Sequence, residues 1–188
     1  MKKRGQGARG KGQDKKALKD KAGKIKLLIL DVDGVMTDGS IIIDNNGNEL
    51  KRFNVRDGHG IKMLQRAGIK VAIITGRISD VVNRRALELG ITDVYQKVFK
   101  KSASYEELLE KYKLGNENVA FMGDDIVDVE LLKRAGLSAV PADADQEAKK
   151  YADIEMKNRG GRGAVREFTD MLLKSAGLWE KVSGEFLG

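Results

Sequence analysis

The pair Asp31 and Asp33 directly follows an apolar run, "LLIL", at residues 27–30. If the extended path of that run continues, side chains two residues apart point to the same side, about 6 to 7 Å from each other. Carboxylates that approach to about 4 Å repel by roughly 4 kcal/mol at an effective dielectric constant of about 20, and a hard divalent cation removes that cost. The spacing therefore indicates a cation site at the end of a strand, with an acidic turn as the ordinary alternative.

Polar side chains also follow two later runs of similar character. "IITGR" presents a hydroxyl and a permissive backbone, "MGDDIVD" presents carboxylates at the start of a helix, and a lysine opens the helix between them. Each alone has an ordinary explanation, such as a helix cap, but ligands of α/β sheets bind beyond the carboxyl ends of the strands, so these groups should share one edge. Carboxylates, an oxygen-bound metal, a hydroxyl and an ammonium group together form a site for a phosphoryl group. The residues are Thr75, Gly76, Lys101, Asp124, Asp125 and Asp128.

The elements that must position these residues follow a regular alternation. From Lys26 onward, short β-branched runs alternate with longer segments of helical period. The runs are almost continuously apolar, which is typical of a parallel sheet covered on both faces, so the sequence predicts a doubly wound (Rossmann-like) α/β fold with a mostly parallel sheet. The predicted strands are 26–30, 70–75, 93–96, 118–122, 138–140 and 153–156, and the predicted helices are 58–67, 79–89, 102–113, 125–135, 145–151 and 163–176.

One segment, "SIIIDNNGNELKRFNV", interrupts this alternation after the first strand. It holds an Asn-Gly pair between two β-type runs, which is the strongest short signal for a hairpin. Neither the chain between Asp31 and Thr75 nor that between Thr75 and Lys101 leaves room for a further domain. We therefore expect a β-hairpin flap and no cap domain.

Composition excludes several classes of site. The chain of 188 residues contains no cysteine and one histidine, so disulfides, thiolate sites and histidine-rich metal sites are excluded. No apolar run has the roughly 20 residues that a membrane helix needs, and residues 1–24 lack the apolar stretch of a secretory signal, so we expect a cytoplasmic protein without a membrane contact.

The net charge of +7 is concentrated at the amino terminus. Residues 1–24 hold ten of the 35 Lys and Arg and two of the 28 Asp and Glu, a net +8, which leaves 25 basic and 26 acidic residues, a net −1, for the rest. We expect a disordered basic tail over 1–24, one folded domain over 25–176 that carries the predicted phosphoryl site, and a C-terminal tail over 177–188. The tail is interpreted as solvating rather than as a nucleic-acid contact, which would weaken steeply with salt.

The motifs as a set resemble a known family. "DVDGVMTDG", "IITGR", Lys101 and "GDDIVD", in this order, are similar to the four motifs of the haloacid dehalogenase superfamily. The strings "FNVRDGHGIKML", "VAFMGDDIVD", "GLSAVPADA" and "GGRGAVRE" resemble the 3-deoxy-D-manno-octulosonate 8-phosphate phosphatases, and the likeness covers Ile25 to about Leu173. It implies a Mg2+-dependent hydrolysis of that sugar phosphate through an aspartyl phosphate, in lipopolysaccharide precursor synthesis.

The resemblance also implies roles for individual residues. Asp31 would be the nucleophile and Asp33 the general acid and base; Mg2+ would be held by the Asp31 carboxylate, the Asp33 backbone carbonyl and Asp124. Asp125 and Asp128 would lie behind these ligands, and neighbouring subunits of a homotetramer would cover the site through the hairpin. The residues implied to contact the sugar phosphate are Asp33, Asn54, Val55, Arg56, Asp57, Gly58, Lys62, Thr75, Gly76, Arg77, Arg85, Lys101 and Arg162.

Four departures from the family pattern leave alternatives open for the substrate. His59 stands where an aromatic residue is common, Lys62 where arginine is common and Lys97 where glycine is expected, and the basic tail has no counterpart. A phosphatase of a sialic-type nine-carbon sugar acid 9-phosphate is therefore the alternative. A receiver-type signalling domain is disfavoured because Asp124 follows the Thr and Lys along the chain. A noncatalytic RNA-associated protein would leave Asp31, Asp33 and Asp124 unexplained.

Overall fold

A computed structural model describes residues 11–187, with side chains described for residues 16–184. Its main sheet has six strands, all pairing in parallel, in the order β5-β4-β1-β6-β7-β8. The predicted doubly wound α/β fold is confirmed, because consecutive strands run outward from β1 first to one side and then to the other. The strands are β1 (Leu27–Leu30), β4 (Lys70–Ile74), β5 (Asp93–Tyr95), β6 (Val119–Met122), β7 (Leu137–Val140) and β8 (Ile154–Glu155), and β2 (Ile42–Ile43) pairs with β3 (Glu49–Leu50) outside this sheet.

Helices cover both faces of the main sheet. Successive residues of β1 point to opposite faces, so Leu28 and Leu30 enter one core and Leu27 and Ile29 the other. The first core includes residues of α1, α2, α3, α7 and α8, and the second includes residues of α4, α5 and α6. The helices are α1 (Lys11–Ala22), α2 (Val55–Arg66), α3 (Asp80–Leu89), α4 (Lys101–Tyr112), α5 (Val129–Arg134), α6 (Gln146–Lys149), α7 (Ala164–Ser175) and α8 (Trp179–Leu187).

The predicted hairpin flap is present as β2 and β3, which pair in an antiparallel register of Ile42 with Leu50 and Ile43 with Glu49. Gly47 in its turn has a φ of 82°, a left-handed conformation that glycine adopts without strain. Over residues 11–187, this hairpin and its flanking segments are the parts that lie outside the main sheet and the helices that cover it, and no cap domain is present.

The structure describes the segment predicted to be a disordered tail, 1–24, from residue 11 onward. Residues 11–22 form α1, which packs on α7. The segment contains no proline, and Leu18, Ala22 and Ile25 recur at helical spacing, so a sparse apolar face reaches the core. The lysines at residues 16, 19 and 21 stay exposed. Residues 1–10 lie outside the described part. The predicted C-terminal tail likewise forms α8, whose Val182 is buried.

Two local differences from prediction have a common cause in side chains that cap helices. The predicted helix 125–135 is a short 3-10 helix, Ile126–Asp128, followed by α5, because the Asp128 carboxylate accepts from the backbone N–H groups of Asp124 and Asp125 and tightens the turn. The helix predicted from Gly58 begins three residues earlier, at Val55, because Asn54 caps it.

Lys97 adopts the left-handed conformation, with a φ of 59°. Glycine is the residue that adopts this region without steric cost, which explains why glycine is expected at this position. No helix within residues 11–187 has the length and apolar character to span a lipid bilayer.

Candidate active site

The strand order brings the predicted polar residues to one cavity at the carboxyl edge of the sheet. Because β1 lies between β4 and β6, Asp31 after β1 has Thr75 after β4 on one side and Asp124 after β6 on the other. All three line a cavity of about 360 Å³. The other predicted residues that line it are Asp33, Gly76, Arg77, Lys101 and Asp125.

Lys101, the first residue of α4, connects two of the buried carboxylates. Its Nζ lies 2.9 Å from Asp31 Oδ2 and 2.6 Å from Asp128 Oδ1, and its side chain is 2% exposed. Burial alone would lower the pKa of Lys101, but attraction to Asp31 and Asp128 outweighs it and raises the pKa. The lysine is therefore held in its charged form beside Asp31.

Asp128 is fully buried and both of its carboxylate oxygens are engaged. Oδ1 receives the Lys101 ammonium group, and Oδ2 accepts from the backbone N–H of Asp124 at 2.9 Å. Asp128 therefore fixes Lys101 and the Asp124 backbone, and leaves Asp31 and Asp124 to offer carboxylate oxygens to the cavity.

These carboxylates repel one another. Oxygens of Asp31, Asp124 and Asp128 lie within 4.8 Å of each other. Burial raises the pKa of Asp31 to about 6, and the charge of Asp128 also raises it. The positive charge of Lys101 lowers this pKa but does not cancel the effect of burial. Burial and the charges of Asp31 and Asp128 raise the pKa of Asp124 to about 8. A donor set that is made of oxygens alone and destabilised by its own charge fits a hard cation such as Mg2+.

Gly34 allows this close approach. It has a φ of 84°, and a Cβ added there would overlap the Asp124 carboxylate. Any side chain at residue 34 would therefore displace a candidate metal ligand, which explains the glycine after the two aspartates.

Asp33 has a different environment from Asp31. Its side chain is 25% exposed and forms an ion pair with Lys51, which lies just after β3, and its Oδ2 lies 3.8 Å from Arg77 Nε. Lys51 and its second partner, Glu49, are residues that the sequence analysis missed. A lysine next to a hairpin strand is normally interpreted as an exposed surface residue. The alternation of side chains along an extended segment, which places Glu49 and Lys51 on the same side, would have been a useful signal.

Two residues predicted to contact the substrate form hydrogen bonds to backbone groups of the fold. Asn54 caps α2 by accepting from the backbone N–H of Arg56 at 2.8 Å. The buried Asp57 accepts from the backbone N–H groups of Gly163 and Arg166 at the start of α7. Burial raises the pKa of Asp57 although these two hydrogen bonds lower it. Asp57 therefore attaches α7 to α2, and its position does not support a direct contact with the substrate.

Other predicted substrate residues lie outside the carboxylate cavity. Gly58 packs against Arg85, whose guanidinium pairs with Glu88 at 2.7 Å, and both belong to the interior between α2 and α3. Lys62 lies beside Gly90 in a cavity that also includes the first residues of β4 and β5. That is the amino edge of the sheet, so the single chain does not bring Lys62 to the reaction site.

A larger cavity of about 880 Å³ lies between α2 and α7 and is lined by Asn54, Val55, Arg56 and Arg162. It contains none of the clustered carboxylates and so is not the centre of the chemistry. Arg162 lies 3.4 Å from Asp38 Oδ2, next to Gly39, which lines the carboxylate cavity. Arg162 therefore stands near the boundary of the two cavities.

The comparison with known proteins agrees with this geometry. A family model described as haloacid dehalogenase-like hydrolase matches residues 78–167. The chain is 48% identical over 165 residues to the 3-deoxy-D-manno-octulosonate 8-phosphate phosphatase of Escherichia coli strain K12, covering 88% of each protein. The chain belongs to the 3-deoxy-D-manno-octulosonate 8-phosphate phosphatase family.

Solved structures of this family superpose closely on the chain. The Yersinia pestis phosphatase gives a TM-score of 0.86 at 45% identity, covering 87% of this chain and 89% of that one. The Moraxella catarrhalis phosphatase, solved in complex with a magnesium ion, a phosphate ion and KDO, gives 0.88 at 36% identity, covering 90% of this chain and 97% of that one.

The raised pKa values of Asp31 and Asp124 predict how pH and Mg2+ act on stability. The metal-free native state keeps protons on these carboxylates that the unfolded chain has lost, so its free energy of unfolding should fall as pH rises from about 4 through about 8. Mg2+ replaces those protons, so thermal melts with Mg2+ and with a chelator should differ more at about pH 8 than at about pH 5.

The control is Asp124→Asn, which keeps the size of the side chain and removes its titration. This variant should lose most of the pH dependence of the Mg2+ effect. An equal effect of Mg2+ on the wild type at both pH values would contradict the assignment of these carboxylates as cation ligands.

Proposed function

We propose that the chain is a Mg2+-dependent phosphatase that hydrolyses 3-deoxy-D-manno-octulosonate 8-phosphate to the free sugar acid and phosphate, a step of lipopolysaccharide precursor synthesis in the cytoplasm. The observation that carries the proposal is the buried pair of Asp31 and Lys101 in the cavity lined by Thr75 and Asp124. Relatives that are 48% identical to the chain are phosphatases of this substrate.

In the first step Asp31 attacks phosphorus. A bond forms between its carboxylate oxygen and phosphorus, the bond from phosphorus to the sugar oxygen breaks, and Asp33 gives its proton to that leaving oxygen. Lys101 and the Thr75 hydroxyl hold phosphoryl oxygens and offset their charge. The fixed ammonium group suits this role because it lies 2.9 Å from Asp31 and so next to the attacking oxygen.

In the second step Asp33, now ionised, takes a proton from a water molecule that attacks phosphorus, and phosphate leaves with Asp31 restored. Mg2+ would be held by the Asp31 carboxylate, the Asp33 backbone carbonyl and Asp124, with Asp125 and Asp128 behind them. When bound, it offsets the negative charge of the phosphoryl group and of the carboxylates.

Asp31→Asn should abolish turnover of the sugar phosphate and leave the fold intact. Asparagine has nearly the same shape but lacks a nucleophilic oxygen, and the substitution relieves repulsion from Asp128 rather than adding strain. Activity should be measured with Mg2+ by release of inorganic phosphate, with thermal melting as the test of folding.

Glu130→Gln, at an exposed residue of α5, removes the same charge away from the cavity and should retain activity. An Asp31→Asn enzyme that keeps more than about a hundredth of wild-type turnover would rule out Asp31 as nucleophile, because general acid and base help alone supplies about 10²–10⁴.

We propose that Arg162 selects for the carboxylate of the sugar acid. Its position near the boundary of the two cavities supports this role, and so does its loop: a Cβ added at Gly160 would overlap the Gly34 carbonyl, so glycine brings this loop against the loop that carries Asp33. The Arg162 side chain is 57% exposed and is therefore accessible to a ligand.

Arg162→Ala should lower kcat/KM for the sugar acid phosphate by about 10- to 150-fold, since a lost charge-assisted contact costs about 1.5 to 3 kcal/mol. Turnover of p-nitrophenyl phosphate, which has no carboxylate, should fall much less. Arg159→Ala, at an exposed residue of the same loop, is the matched control. Equal losses on both substrates would assign Arg162 to phosphate binding or to structure.

We propose that the chain assembles as a homotetramer through the hairpin. Large apolar side chains of the hairpin are exposed, with Ile43 at 61% and Leu50 at 54%, and a two-stranded ribbon does not bury them on its own. For the basic amino-terminal segment we propose no nucleic-acid partner, which is consistent with the surface ion pair that Lys21 forms with Asp153 of the same chain.

Sedimentation equilibrium should give the mass of four chains for the wild type and a smaller mass for Ile43→Glu, because a charge would replace buried apolar surface at the interface. Asn45→Glu, which adds the same charge in the hairpin turn, should remain tetrameric. A monomeric wild-type chain would contradict the proposal.

A further inference from the structure

Lys51 is buried in a position that surface lysines rarely occupy. Its side chain is 1% exposed, although it lies only one residue after β3 in a hairpin whose apolar side chains face outward. A buried ammonium group is destabilising unless it has partners of opposite charge. Lys51 has two, Asp33 in an ion pair and Glu49 with its Oε1 at 3.4 Å.

These contacts form a chain of alternating charge that ends at Asp33. Arg77 Nη2 lies 2.8 Å from Glu49 Oε1, Glu49 pairs with Lys51, and Lys51 pairs with Asp33 Oδ1. The other carboxylate oxygen of Asp33, Oδ2, is 3.8 Å from Arg77 Nε, which is longer than a hydrogen bond. Lys51 thus holds Oδ1 of Asp33, and in the protonated acid Oδ1 still accepts from Lys51 while Oδ2 carries the proton that is transferred.

We propose that Lys51 is a positioning residue that orients the Asp33 carboxylate for protonation of the leaving sugar oxygen. The inference rests on the proposed function, in which Asp33 gives that proton. The Asp33 carboxylate is one-quarter exposed, so without Lys51 it can turn toward water. Loss of this orientation should slow proton transfer to the leaving oxygen, although the acid itself is still present. This role would make catalysis depend on the position of the hairpin segment, because that segment carries Lys51 and Glu49.

The test uses substrates that differ in their need for a proton. An alkoxide of a sugar is a poor leaving group and needs protonation, whereas p-nitrophenolate leaves readily without it. kcat/KM reports the transfer of the phosphoryl group to Asp31 and excludes the later attack of water, in which Asp33 acts again as base. The comparison of kcat/KM therefore isolates the step in which Asp33 is the acid.

Lys51→Met should lower kcat/KM for 3-deoxy-D-manno-octulosonate 8-phosphate by about 10- to 100-fold, a part of the 10²–10⁴ that general acid catalysis supplies. The loss for p-nitrophenyl phosphate should be about 3-fold or less by the same reasoning. Lys51→Arg, which keeps the charge, should recover part of the lost activity on the sugar phosphate.

Lys26→Met is the control, because it removes the same charge at an exposed residue just before β1, at the amino edge of the sheet and away from the cavity. It should affect the two substrates equally. Equal losses on both substrates for Lys51→Met would assign Lys51 to structure or phosphate binding, and full activity on the sugar phosphate would show that Asp33 needs no such partner. Either result overturns the proposal.

Failure of the proposed function can be told apart from failure of this inference. A wild-type enzyme that hydrolyses p-nitrophenyl phosphate but not the sugar acid phosphate has a different substrate. The same comparison then uses glycerol 2-phosphate, whose alkoxide also needs a proton. Thermal melting of Lys51→Met with Mg2+ separates a lost fold from a lost orientation.

Discussion

The ion pairs of Lys101 with Asp31 and Asp128 are the interactions on which the rest of the site depends. The Lys101 ammonium group lies 2.9 Å from the Asp31 carboxylate and 2.6 Å from the Asp128 carboxylate. It offsets the repulsion between these two buried acids. It is fixed as the first residue of α4, and Asp128 in turn holds the backbone of Asp124. One lysine offsets only part of this charge, and the remainder makes the edge of the sheet a site for a divalent cation.

The two aspartates after β1 owe their different chemistry to their surroundings. Asp31 is buried beside Lys101, with a pKa raised to about 6 by burial, and its two carboxylate oxygens are held by the backbone N–H of Val32 and by the Lys101 ammonium group. Asp33 is one-quarter exposed and paired with Lys51 from the hairpin. The proposed nucleophile, which is fixed, and the proposed acid, which is more accessible, can thus come from residues two apart, because each contacts a different part of the fold.

The positions of residues that follow strand ends were predictable from the sequence. The positions of residues that depend on contacts between distant parts of the chain were not. Asp31, Thr75 and Asp124 each follow a strand, and parallel pairing alone brings strand ends together. The family resemblance implied a substrate contact for Asp57, but its hydrogen bond to α7 joins positions more than a hundred residues apart, which no local pattern shows. Lys51 was missed because its burial depends on how the hairpin packs against the loop that carries Asp33. The helix α1 was missed because its segment is rich in charged residues and has few apolar residues, so the core contacts of Leu18 and Ala22 were not expected.

The most direct test of the account is to identify the atom that carries the phosphoryl group during turnover. Wild-type enzyme mixed with the sugar phosphate and Mg2+ should be quenched within a turnover, treated with borohydride, digested and sequenced by mass spectrometry. Reduction of an aspartyl phosphate yields homoserine, and the account predicts this conversion at Asp31 alone among the aspartates of the cavity. Conversion at Asp33 or Asp124, or unmodified Asp31 under conditions in which the substrate is consumed, would contradict it.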